Sequence, residues 1–101
     1  MNSGVEMMKV WLDDMRYPPE GWCWAKSVEE AKMFLESGEV ECMSLDYDMG
    51  YGQASGYELC TWMRLNSKWP VGGVDTHSSS QFSNMRMQNA LGEHYKKYED
   101  A

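Results

Sequence analysis

Two pairs of aspartates stand directly behind short apolar runs. Asp13 and Asp14 follow MMKVWL (Met7–Leu12), and Asp46 and Asp48 follow CMSL (Cys42–Leu45). A third run, VGGVDTH, ends on His77 and leads into Ser78-Ser79-Ser80. Carboxylates gathered in one crevice repel one another and stay ionised only if a cation joins them. A set made only of oxygen donors suits Mg²⁺, Mn²⁺ or Ca²⁺. Asp13, Asp14 and Asp46 are therefore candidate ligands for a hard divalent ion, with helix caps or solvated loop acids as the competing reading. His77 can serve as general acid or base, as a phosphate ligand, or as a satisfied core histidine. Arg16, three residues past Asp13, offers a guanidinium fork that matches phosphate oxygens but can equally pair with a neighbouring acid.

Neither a calcium loop nor a phosphate loop fits the spacing. If Asp46 opens a calcium loop, Tyr51 stands where the sharp-turn glycine belongs and Tyr57 where the closing glutamate belongs. The glycines of GYGQASG lack the Gly-Lys-Ser/Thr ending of a phosphate loop and match no dinucleotide fingerprint. Cys23, Cys42 and Cys60 lie far apart in apolar surroundings. They read as buried thiols rather than as a zinc set or a disulfide framework, which favours a reducing cytoplasm.

The elements that must position these residues alternate in type. Met7–Leu12, Trp22–Ala25, Cys42–Leu45 and Val71–His77 read as short strands. Ser27-x-x-Glu30 and Ser55-x-x-Glu58 have the form of capping boxes. The first opens a helix with the stripe Val28, Ala31, Phe34 and Leu35, closed by Gly38. The second opens a helix with Leu59, Trp62 and Met63 on one side. A terminal helix is expected from Ser83 along Met87, Ala90, Leu91, His94, Tyr95 and Tyr98. Buried strands alternating with helices predict a parallel sheet, whose ligand crevice lies at the carboxyl ends of the strands. In that arrangement all the candidate residues converge on one edge.

The bulk composition narrows the class. A chain of 101 residues with 43% hydrophobic and 25% charged residues is expected to form one domain, placed at residues 7–98 with loose ends at 1–6 and 99–101. Sixteen acidic against nine basic residues give a net charge of −7, without the basic stripe of a duplex DNA binder. The acidity also disfavours anionic membranes, and no run has the length of a membrane span or of a signal-peptide core.

The blocks KVWLDDMRYPPEGWCWAKSVEEA, SLDYDMG and THSSS…MRM resemble the cyclic-phosphate processing receiver-like domain family, small bacterial and phage proteins similar to two-component receivers. The resemblance runs from about Lys9 to Leu91, and L-D-D-x-R-x-x-P-x-G-W is its most specific part. It implies a small three-layer α/β sandwich of flavodoxin-like type, with about four short parallel strands and one strand–helix unit fewer than a receiver. It also implies a metal-assisted phosphodiesterase acting on a cyclic phosphate of a nucleotide or RNA end. Asp13, Asp14 and Asp46 would then hold Mg²⁺ or Mn²⁺, with Asp46 at the phospho-acceptor position. Asp46, Asp48 and His77 would be catalytic, and Arg16 and Ser78 would bind the phosphate. Two departures stand out: Tyr47 replaces the histidine of the usual L-D-H-D, and a serine replaces an asparagine expected soon after His77-Ser78. The alternative is a non-catalytic module of a phage or bacterial conflict system that holds a nucleotide or a partner protein. A phospho-switch receiver would need a strand-end lysine, whereas Lys96 and Lys97 are expected in the terminal helix.

Overall fold

The computed structural model describes residues 7–101; the leader expected at 1–6 lies outside the described residues. The elements run β1 (Met8–Leu12), β2 (Cys23–Ala25), α1 (Val28–Ser37), β3 (Val40–Leu45), α2 (Gly56–Asn66), β4 (Val74–Thr76) and α3 (Gln81–Leu91), followed by a 3₁₀ turn at Gly92–His94. All four strands are parallel, in the order β2-β1-β3-β4. This is the start of the doubly wound order in which a ligand site forms at the strand ends.

Local chemistry accounts for the helix boundaries. The Ser27 hydroxyl accepts the Glu30 amide at the start of α1, and Gly38 closes that helix in the left-handed conformation with φ 78°. Ser55 and Glu58 form a reciprocal capping box at the start of α2. Each satisfies amides that the first helical turn leaves without partners.

Strand register divides the sheet into two faces. Val10, Met43 and Val74 are in register, as are Ala25, Leu12 and Leu45. They share one face and pack with Val28, Ala31 and Leu35 of α1, Leu59 and Met63 of α2, and Met87 and Leu91 of α3. All three helices therefore contribute to one core. The opposite face carries Trp11, Cys42, Ser44 and Asp75. Its cover is aromatic: Trp22, just before β2, and Trp24, within β2, with Tyr98 and Ala101 of the C-terminal tail. The expected third layer thus consists of tryptophans and tail rather than helices, and the β1–β2 connection, residues 13–22, contains no helix.

The terminal helix is shorter than its apolar spacing predicts. Helix α3 ends at Leu91, and Gly92 takes a positive φ of 56°. After the 3₁₀ turn the chain runs extended from Tyr95. Tyr95 forms a parallel bridge with Val74, and the Lys96 amide donates to the Val74 carbonyl at 2.9 Å. Pairing with the edge of β4 supplies backbone partners that helix continuation would otherwise have to provide. Tyr95 packs toward the helix-side core and Tyr98 toward the tryptophan face. Lys96 and Lys97 accordingly lie in this tail and not in a helix. Within residues 99–101, the Asp100 carboxylate receives Lys9 Nζ at 3.1 Å and Trp22 Nε1 at 3.2 Å.

Candidate functional site

Strands β1 and β3 deliver their aspartates side by side because their ends are tied together: the Asp46 amide donates to the Leu12 carbonyl at 2.9 Å. One carboxylate oxygen from each of Asp13, Asp14 and Asp46 falls within 4.8 Å of the others. The three residues the sequence singles out as ligands therefore meet at one point. They line an open cleft of about 550 Å³ together with Arg16, Tyr47, Asp48, Gly50, Gln53, Ser55 and the serines 78, 79, 80 and 83.

The three carboxylates are not equivalent. Asp13 is fully buried. Its Oδ1 accepts the amides of Met15 and Arg16, each at 2.9 Å. Its Oδ2 receives His77 Nε2 at 3.0 Å and lies 3.2 Å from Arg16 Nε. Burial works against its charge. The two amides, the His77 ring and the Arg16 guanidinium outweigh that and hold its carboxyl below the usual range. Asp46 has less support. Its Oδ1 accepts its neighbour's amide, from Tyr47, at 2.8 Å and lies 3.5 Å from Arg16 Nη2. Burial, with the Asp13 charge beside it, pushes the Asp46 carboxyl up against the opposing pull of the Tyr47 amide and Arg16. Asp14 is half-buried at the lip of the cleft. The Gly50 backbone closes over it: a Cβ built on Gly50, whose φ is 104°, would lie 3.4 Å from Asp14 Oδ2. The Asp48 carboxylate produces that turn by accepting the Gly50 amide at 2.9 Å.

The donor set is all oxygen and fits a hard divalent ion. Asp13 Oδ1 accepts two amides, and its Oδ2 accepts His77 and is ion-paired with Arg16, so Asp13 is the most engaged of the three. Asp14 and the Oδ2 of Asp46 are the more open donors. Asp13 is better placed to set the field and hold Arg16.

His77 stands behind this cluster. Its ring lies flat on Trp11, with centroids 3.6 Å apart and planes 5° from parallel. Its Nδ1 is 2.8 Å from Ser44 Oγ. Burial lowers its pKa against the opposing pull of Asp13, so the ring is neutral at pH 7. The Asp13 carboxylate can only accept. Nε2 therefore carries the proton, and Nδ1 accepts from the Ser44 hydroxyl. Both ring nitrogens are engaged, and His77 is not among the residues lining the cleft. Trp11 also donates its indole N–H to the Arg16 carbonyl at 3.1 Å, so one side chain braces both neighbours of Asp13.

The serine segment forms the opposite wall. Ser80 caps α3 by accepting the Ser83 amide. The Asn84 side chain reaches back to Ser78, accepting its amide at 2.8 Å and donating to its carbonyl at 2.7 Å. Asn84 thus clamps the backbone of the segment that ends the third motif. The hydroxyl of Tyr47 accepts Arg86 Nη1 at 2.8 Å, and the Arg86 guanidinium sits 4.4 Å from the centre of the Tyr57 ring. Among the described residues lining the cleft there is no lysine. Lys96 packs against Gly73, beside the amino end of β4 and the other end of the sheet.

Sequence reasoning passes over three residues of this assembly. Trp11 and Ser44 occur within runs read as buried strand. Ser44, the one polar side chain in CMSL, is an advance sign of a partner on that face, as is Asp75 in VGGVDTH. Arg86 lies in the block THSSS…MRM, but nothing there gives it a role, because its partner Tyr47 is distant in sequence.

A parallel sheet in this strand order, with acidic residues at the carboxyl ends of β1 and β3, defines a receiver-like α/β protein. A signal receiver domain from Vibrio parahaemolyticus has a similar structure. The TM-score is 0.66 at 13% sequence identity, with 90% of this chain and 77% of that chain covered, a likeness of fold. A model of the family described as the cyclic-phosphate processing receiver domain matches residues 8–93, and the chain belongs to that family. No curated protein matches it.

Proposed function

We propose that the protein is a metal-dependent phosphodiesterase that opens a cyclic phosphate on a nucleotide or RNA end. The observation that carries this reading is the composition of one cleft. The oxygens of Asp14 and Asp46, the Arg16 guanidinium, and the capped start of α3 with Ser78–Ser80 face the same space. Family membership agrees with it.

A bound Mg²⁺ or Mn²⁺ would neutralise phosphoryl charge and lower the pKa of a coordinated water. Asp14 and Asp46 would hold it. The residues of the chain then divide the remaining work. Arg16 and the Ser78 region orient the phosphate oxygens, with the amides at the start of α3 adding favourable partial charge. Asp48, exposed on the cleft wall with one oxygen free of the Gly50 amide, exchanges the proton with water or the leaving oxygen. His77 holds Asp13 in place and keeps the carboxylate ionised, a positioning role instead of direct proton transfer.

The test is turnover of 2′,3′-cyclic mononucleotides, 3′,5′-cyclic nucleotides, cyclic di- and trinucleotides and cyclic-phosphate-ended RNA with Mg²⁺, Mn²⁺ or EDTA. Metal-dependent hydrolysis that disappears in Asp46→Asn supports the reading. Absence of hydrolysis across the panel rejects it.

One observation favours a second reading. Tyr47, which stands where the family usually carries histidine, has its hydroxyl occupied by Arg86 on the cleft wall. A non-catalytic module that holds a nucleotide or a partner protein would retain the cleft without that histidine. Hydrolysis gained in Tyr47→His, with none in the parent, would identify a binder derived from an enzyme.

A further inference from the structure

We infer that Arg16 is a built-in counter-ion for the acidic cluster, displaced when a divalent cation enters and thereby released toward the phosphate. This rests on the metal reading of the site but not on catalysis. The guanidinium spans the two strand-end carboxylates, with Nε 3.2 Å from Asp13 Oδ2 and Nη2 3.5 Å from Asp46 Oδ1. It stands where opposite charge is needed: two buried carboxylates adjoin, and Asp14 presents a third within 4.8 Å.

Two features make the arrangement movable. The side chain is half exposed, so it can swing into the cleft without opening the core. Its backbone is independently fixed, because the Arg16 amide donates to Asp13 Oδ1 and its carbonyl accepts the Trp11 indole. Only the side chain therefore needs to move. Asp13 keeps both amides and the His77 N–H after Arg16 leaves, so its charge remains compensated. A divalent ion on Asp46 and the guanidinium would be like charges competing for one group of oxygens. The cation that binds more strongly there expels the other. The freed fork lies beside the cleft and matches phosphate oxygens. Metal and phosphate should then bind cooperatively, each strengthening the other by the same factor.

Isotope-labelled protein reports the swing directly. In the metal-free protein the Arg16 Nε–H resonance should show the shift and slowed solvent exchange of an ion-paired guanidinium. On titration with Mg²⁺ it should move to the position of a free arginine, in step with the backbone amide of Gly50 beside Asp14. An Arg16 signal that stays put while the Gly50 amide titrates overturns the inference. Calorimetry with Mn²⁺ alone supplies the second measurement. Arg16→Gln, and Arg16→Ala if that variant fails to fold, should bind Mn²⁺ about threefold to tenfold more tightly at low salt. Inorganic phosphate should tighten Mn²⁺ binding in the parent by more than it does in the variant. Unchanged or weaker Mn²⁺ binding in a folded variant rejects the competition. If neither protein binds Mn²⁺, the metal reading falls and the inference with it. If Mn²⁺ binds as expected but no cyclic phosphate is hydrolysed, the enzyme reading alone fails.

Discussion

Trp11 and His77 lie flat against each other, 3.6 Å between ring centres and 5° between planes, beneath the fully buried carboxylate of Asp13. The stack joins the acidic edge to the tryptophan face. Trp22 meets Trp11 edge-on at 6.1 Å, and Asp100 of the tail accepts the Trp22 indole N–H. The site is therefore braced from behind by side chains that never reach the cleft.

Replacing Trp11 should show how much that brace is worth. Trp11→Ala removes a buried ring, the stack under His77 and the bond to the Arg16 carbonyl. It should lower unfolding free energy by about 3–5 kcal/mol in a denaturant titration. Trp11→Phe keeps an aromatic surface under His77 and should cost less. Its main effect should be weaker Mg²⁺ binding, because the loop that carries Asp14 loses the tie from Trp11 to the Arg16 carbonyl.

Asp46 should make the metal-free protein less stable as pH rises. Its carboxyl is pushed up by burial and by the Asp13 charge. A group with a raised folded pKa contributes stability below its unfolded pKa, and the contribution is lost as pH rises through the folded pKa. Asp13, held down by its amides, acts in the opposite sense and loses its contribution as pH falls through its folded pKa. The difference in Tm between the parent and Asp46→Asn isolates the first effect. With EDTA, the variant should gain on the parent from acid toward neutral pH. With Mg²⁺ the parent should recover, while the variant should not respond.

Gly56 should tolerate no side chain. A Cβ there would stand 2.0 Å from the Asp46 carbonyl and 3.0 Å from Met87 Sδ. Gly56→Ala must push the start of α2 away from the end of β3, at a cost of about 1–3 kcal/mol typical of overpacking. The same shift displaces Asp46. Thermal unfolding should report the loss, and Mn²⁺ calorimetry should show weakened binding.

The cysteines should separate by accessibility. Cys42 and Cys60 are buried, with thiols pushed up by burial to about 11 and about 12. Neither supplies thiolate near neutral pH. Cys23 is partly exposed. Native protein treated with iodoacetamide at mildly alkaline pH should gain one adduct by mass spectrometry, at Cys23, and denatured protein three. A second adduct in the native protein would show that the tail opens over Cys42.

Residue order alone determined the alternation of strands and helices, because runs such as CMSL and the stripes after Ser27 and Ser55 express the periods of their elements directly. It also placed the acids, since an aspartate directly behind a buried strand can only emerge at that strand's end. Tertiary structure decided the rest. The spacing of His94, Tyr95 and Tyr98 reads as helix, yet Gly92 turns the chain and β4 captures Tyr95, a competition between backbone partners that no local pattern records. His77 presents the same sequence whether it faces the cleft or the sheet. Its place behind Asp13 follows from Trp11 and Ser44, which parallel register brings from two other strands. Arg16 matched a phosphate and a carboxylate equally well in sequence. Only the joining of β1 and β3 sets it between Asp13 and Asp46, because charge pairing depends on distances the fold creates.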